Sequence, residues 1–216
     1  MRERPFAPHC DRSRDVSQRA LRRLAVAALV VAAAASMLAA PAVSAPDPVS
    51  AEWTVAELMR GLAARGPESA RFVEKKYIAI LDQPVESSGE LRYVPPDRLE
   101  KRTIAPKPEL LVLAGDTLTL ERDKRKLTLQ LRDYPQIAAI VESLRGMLSG
   151  DRTALEKTYR LEVHGSRERW TLVMLPSDAK LAELVLRIDV TGSRDRVRTI
   201  EIRQADGDRS VMTIEK

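Results

Sequence analysis

Hydrolytic chemistry needs a nucleophile with a base beside it, so the serines, histidines and carboxylates are the first residues to place. Ser87-Ser88, Ser149, Ser166 and Ser193 fall at expected turns, and none sits in a Gly-x-Ser-x-Gly elbow. His164 occupies the polar side of an expected strand beside Gly165, the place of an ordinary exposed histidine. Glu90 and Glu100 have the spacing to meet across a hairpin, although charged strand faces bring carboxylates together by default. Asp116, Asp151 and Asp208 each follow a glycine, where a turn or a helix cap accounts for them. No catalytic constellation emerges, and the chain reads as a non-enzyme. The single cysteine, Cys10, and two histidines do not make a nitrogen/sulfur metal site, so neither metal nor cofactor is expected.

The chemistry that the composition does offer is apolar. The expected strands are stocked with Leu, Ile, Val and Met, while the whole chain has two Trp, two Phe and four Tyr. An aliphatic inner surface suits hydrocarbon chains better than sugars or bases, which are held by stacking rings. A plain aliphatic core accounts for the same composition. The residues placed to line an apolar cavity are Leu91, Tyr93, Leu111, Leu113, Leu118, Leu120, Leu161, Trp170, Leu172, Met174, Leu186 and Ile188. Which strand face points inward stays open, because a one-residue slip in register exchanges the faces.

The elements that must position these residues are legible from periodicity. Thr54 with Glu57 makes a capping box, and Val55, Leu58, Met59 and Leu62 form one stripe of a helix that Gly66-Pro67 ends. Residues 71–81 read as a first long strand, with Tyr77, Ala79 and Leu81 continuing one face. A second strand through Leu91 and Tyr93 meets a third, from Arg98 to Ile104, at the stiff corner Pro95-Pro96. Hairpins follow, turning at 114–116 and 121–125. Pro135, then Ile137, Ile140, Val141, Leu144 and Leu148, with Gly150 behind, give a second helix, and Asp151 caps a short third. Five further strands close the chain, and a break in alternation between Arg196 and Arg203 marks a bulge. About ten antiparallel strands and few helices make an α+β chain. Its strongly curved sheet forms an incomplete β-barrel, with helices covering or plugging the concave apolar side.

The first 42 residues read as an export signal rather than fold. Seven arginines precede an apolar run from Leu24 to Ala40, and Ala40-Pro41-Ala42 supplies a small-x-small cleavage site. Residues 43–52 follow as a flexible linker and 53–216 as one domain. Of 36 Lys and Arg and 31 Asp and Glu, seven and three lie in residues 1–42, which leaves 29 against 28. The basic balance therefore belongs to the signal, and a nucleic-acid surface is not indicated. Once the signal is removed no membrane span remains, and a soluble periplasmic monomer is expected.

One order of motifs goes further. Phe72, Glu74 and Lys75 are followed by Gly89, Leu91, Tyr93, Pro96, Arg98 and Leu99, then by Lys101, Thr103 and Pro106. Gly150-Asp151, Leu155, Tyr159, Trp170, Leu172 and Pro176 continue it. This order resembles the outer-membrane lipoprotein carrier (LolA-like) family, and within it a divergent branch, over about residues 53–216. The resemblance implies an unclosed antiparallel barrel, a lid of helices and an apolar cavity that receives acyl chains in the periplasm. It implies lipid acyl chains or a lipidated protein as cargo, with inner- and outer-membrane envelope proteins as partners. Typical carriers also have an arginine just before the proline that follows the Gly-x-Leu strand, and it holds the lid closed. Here Val94 and Pro95 stand in its place. A non-catalytic envelope interaction subunit with the same fold is the alternative that this departure keeps open.

Overall fold

The computed structural model describes residues 53–95 and 97–215. The expected signal and linker lie outside these residues, as does Pro96 of the Pro95-Pro96 corner. Helix α1 (Val55–Ala63) starts at the expected capping box. The Thr54 hydroxyl accepts from the Glu57 N–H at 3.2 Å, and the Glu57 carboxylate accepts from the Thr54 N–H at 3.0 Å. Six strands follow: β1 (Glu68–Tyr77), β2 (Val85–Val94), β3 (Arg98–Ala105), β4 (Glu109–Ala114), β5 (Thr117–Arg122) and β6 (Arg125–Gln130). After a 3-10 turn at Leu131–Asp133 come α2 (Pro135–Ser149) and α3 (Arg152–Glu156). Strands β7 (Tyr159–Ser166) and β8 (Arg169–Pro176) lead to α4 (Ala179–Ala182). Strands β9 (Val185–Ser193), β10 (Arg196–Gln204) and β11 (Arg209–Glu215) end the chain.

All eleven strands belong to one antiparallel sheet in the order β6-β5-β4-β3-β2-β1-β11-β10-β9-β8-β7. Two meanders, β1–β6 and β7–β11, are thus joined in mid-sheet by the pairing of β1 with β11, where Phe72 lies opposite Ile214. The sheet does not close, and its edges are β6 and β7. Alternate side chains of every strand from β1 to β11 turn to an inner face, and one buried apolar cluster gathers them with α1, α2 and α3. The sheet therefore wraps around its helices.

Helix α2 is the object that it wraps. Between Ile137 and Ser149 only Glu142 and Ser149 are exposed, on one stripe with half-buried Ala138 and Arg145, so the helix turns a broad apolar face to the sheet and keeps a narrow stripe outward. Two glycines let its neighbours close in. A side chain at Gly150, whose φ is +66°, would stand 2.2 Å from the Met59 carbonyl oxygen of α1, and one at Gly146 would meet Leu155 of α3. Arg145 adds a tether, donating from Nη2 to the Gly115 carbonyl in the β4–β5 turn.

Three details differ from expectation. The first strand spans Glu68–Tyr77 rather than 71–81. A turn closed by the Leu81 N–H on the Ile78 carbonyl takes its place, with the Ala79 N–H donating to Asp208 Oδ1 at 2.9 Å. Leu81 is left exposed. Glu90 and Glu100 do not face each other: the register that sets Tyr93 opposite Leu99 places Glu90 against Arg102 and Glu100 against Arg92. Helix α4 was not anticipated, being one turn long, and Asp178 caps it. The expected bulge in β10 is present, with Arg198 as its extra residue.

Candidate functional site

The inner face is built by alternation. Leu91, Tyr93, Leu111, Leu113, Leu118, Trp170, Leu172, Met174 and Ile188 are all buried on it within one cluster, and Leu120 and Leu161 pack partly buried against them. Leu186 is the exception and corrects the sequence reading. Val185 pairs with Gln204 and Arg187 with Arg203, so Leu186 has no partner of its own. It is the extra residue of a second bulge, which shifts the alternation and turns its side chain outward to 55% exposure. Its neighbour Val185 is fully buried.

Burial is graded along the strands of the first meander. On β6 the inner-face series runs from buried Leu131 and Leu129 to Leu127, which is 40% exposed. On β2 it runs from Tyr93 and Leu91 through Gly89 to Val85, also 40% exposed. The Arg122 side chain ends the β5 series at 49% exposure. The inner surface thus reaches solvent at this end of β1–β6. The second meander is shut at the corresponding end, where α4 and the residue behind it bury Leu181 and Leu184 beside Val185.

At mid-depth on the first meander the inner face changes chemistry. Glu74 of β1 and Lys101 of β3, only 1% and 4% exposed, are joined by a hydrogen bond of 2.5 Å from Lys101 Nζ to Glu74 Oε2. Ser210 Oγ donates to Glu74 Oε1 at 2.7 Å, Ser87 Oγ lies 3.4 Å from Oε2, and Lys76 Nζ approaches Oε1 at 3.6 Å. The Lys101 ammonium stands 5.0 Å over the Phe72 ring. Lys101 passes Gly89 on its way to Glu74, and Gly89 has no room for a side chain: a Cβ there would meet the Arg102 carbonyl oxygen at 1.9 Å. Burial works to raise the Glu74 pKa, but the charges of Lys101 and Lys76 and the hydrogen bonds from Lys101 and Ser210 outweigh it and hold the carboxyl below its ordinary value. Burial pulls the Lys101 ammonium below its ordinary value, and the Glu74 charge offsets only part of that.

This pair escaped the sequence reading, which treated charges in strands as solvated. The signal was present, because Glu74 follows Phe72 by two and Lys101 follows Leu99 by two, the spacing of one strand face. The residues that carried the motif resemblance are these same neighbours. Phe72, Glu74, Gly89, Leu91, Leu99 and Lys101 all face inward on three adjacent strands. At the corner that follows, Val94 ends β2 and Arg98 turns to Glu100, with Nη2 2.6 Å from the carboxylate. His164 is exposed on β7, its Nε2 3.8 Å from Glu162. Among the described residues, no three His, Cys, Asp or Glu side chains gather into a metal-holding group, and no helix is long and apolar enough to cross a membrane.

No curated protein matches the chain. Among solved structures it is similar to a LolA superfamily protein from Nitrosomonas europaea, 9% identical, covering 76% of this chain and 92% of that one with a TM-score of 0.41. It is also similar to a putative outer membrane lipoprotein-sorting protein domain from Vibrio parahaemolyticus, 13% identical over 75% of this chain and 89% of that one, TM-score 0.40. The MucA/MucB complex of Pseudomonas aeruginosa matches at 12% identity over 75% of this chain and 56% of that one, TM-score 0.42. The family model described as outer membrane lipoprotein carrier protein LolA-like matches residues 42–214. The chain therefore belongs to the LolA-like outer membrane lipoprotein carrier family, as a divergent member of it.

Proposed function

We propose that the protein is a periplasmic carrier or chaperone, which binds the acyl chains of a lipidated or acylated molecule against its inner face and moves it toward the outer membrane. The observation that supports this reading is the burial gradient. On β5 and β6 an aliphatic inner surface runs from a sealed interior out to Leu120 and Leu127 at one open end, a path along which a hydrocarbon chain can slide. Burying a chain of about 15 methylenes is worth on the order of 12 kcal/mol. Release requires that part of this be offset, and displacing the tightly packed helix α2 is an offset of the right kind. No catalytic step is part of the reading, and export rests on residues 1–42. Native mass spectrometry of protein purified from a periplasm is expected to show a bound acylated mass. A clean unliganded mass, with no uptake of a hydrophobic probe by the folded protein, sinks the proposal.

A second reading is favoured by the packing of α2. With Ile140, Val141 and Leu155 fully enclosed, the same fold serves as a non-catalytic envelope subunit that acts through its outer surface. A stable protein partner in pull-downs, with no ligand displaced, would favour it.

A further inference from the structure

We propose that the open end of the first meander is a subsite for a phosphate-type anionic headgroup, so that the cargo is an anionic amphiphile rather than a neutral one. This rests on the carrier reading above and gives it a substrate class. The inner-face positions at that end are cationic in excess. Lys76 lies two residues beyond Glu74 on β1. Arg122 ends β5, and Arg125, directly opposite it, begins β6. Lys101 lies deeper on the same face, bonded to Glu74. Against these four cations the same face sets Glu74 and Glu109, the latter 3.6 Å from Arg122 Nη1. Asp123 of the turn is 3.9 Å from Arg122 Nε. With Lys124 of the same turn counted, two positive charges are left over. Two arginines directly opposite each other on paired strands repel, and the turn between them, with Asp123 and Lys124 both at positive φ, holds them together.

Space for a ligand exists at the same place. A groove of about 390 Å³ lies at these strand ends, lined by Thr103, Glu109, Arg122 and Arg125 of the inner face and by Arg102, Leu110, Glu121 and Lys126 of the opposite face. Aliphatic Leu120 and Leu127 adjoin Arg122 and Arg125 on the same strands, so an acyl chain entering along them leaves its headgroup among the cations. The hydroxyl of Thr103 stands in the same row of the ladder as Glu109. The arrangement has the form that an oxyanion with a hydrocarbon tail requires: donors and positive charge at the mouth, aliphatic wall behind.

The test is binding of lysophosphatidylglycerol against monoacylglycerol of the same chain length, below their critical micelle concentrations, with inorganic phosphate as a third probe. The wild-type protein is expected to bind the phospholipid about tenfold tighter, a margin that shrinks as salt rises. In the Arg122→Gln/Arg125→Gln variant, whose changes are at exposed positions, the margin should fall to about twofold while affinity for monoacylglycerol is kept. Circular dichroism checks that the variant is folded. Equal affinity of the wild type for both amphiphiles overturns the headgroup subsite but leaves acyl binding standing. Binding of neither overturns the carrier reading as well. A preference that survives in the variant overturns the assignment to these arginines, and inorganic phosphate binding as tightly as the phospholipid overturns a lipid source for the anion.

Discussion

Strands β8–β10 present Leu172, Met174, Ile188, Val190, Ile200 and Ile202 to the interior, and α4 shuts their end. Strands β1–β3 reach a comparable depth with a lysine, a glutamate and a serine hydroxyl, and their end is open. The rows are continuous across the sheet, because Glu74 lies opposite Met212, Met212 opposite Ile200 and Ile200 opposite Val190. Polar and hydrocarbon walls therefore belong to one surface. The difference teaches that the sheet is not a uniform apolar container. One half supplies packing that fixes the fold, while the other spends stability on buried charge and exposed aliphatic surface, as interaction sites do.

The comparison can be broken at its most costly point first. Lys101→Met leaves Glu74 buried without its main partner, so a loss of about 3–5 kcal/mol in urea unfolding is expected. Lys101→Met with Glu74→Leu should recover most of it, and failure to recover would mean that the pair is required for folding in itself. The same pair sets a pH dependence. Glu74 is held below its ordinary 4.5, so its stabilising contribution is complete above that value and is lost as pH falls through the lower folded value. Acid unfolding followed by circular dichroism should begin at higher pH in Ser210→Ala, which removes one of the hydrogen bonds that hold the carboxyl down.

The same deletion made in each half sharpens the contrast. Leu172→Ala, at a fully enclosed site, should cost about 3 kcal/mol, and Leu127→Ala, at the open end, less than about 1 kcal/mol. Comparable losses would show that the open end is as tightly packed as the sealed one. The smallest effect is expected at Leu186→Glu: within about 0.5 kcal/mol and without effect on acyl binding, since the bulge has already turned that side chain to solvent.

Much of this was legible before any coordinates. Thr54 with Glu57, Pro135 with Gly150 and Asp151 with Ala154 are local signals with a local mechanism, and each marks a helix end where expected. Strand alternation grouped most of the residues that share the buried face, while leaving open which face that is. It failed at Leu186 because a bulge is set by the partner strand, and periodicity carries no information about the partner. It failed at 78–81 because a turn anchored by Asp208, more than a hundred residues away, overrides local β-propensity. Lys101 and Glu74 were hidden for another reason: a charge in a strand reads as surface unless its partner, 27 residues distant, is known to sit on the same face. The pairing of β1 with β11, which decides what surrounds α2, has no local signature at all.

That central pairing has a consequence for how the chain assembles. Every other ladder in the sheet joins consecutive strands, except across this one seam, whose partners lie roughly 140 residues apart and cost about 4 kcal/mol of chain entropy to bring together. Each meander can zip up from its own hairpins, whereas the seam must wait for both. Pulse-labelled amide exchange during refolding should therefore find β4 and β5 protected before β1 and β11. Until the seam forms, β1 and β11 are free edges, and Glu74 has not yet met Ser210. The buried charge is thus completed only in the last step, so the order of assembly defers the costliest burial until the chain is otherwise built.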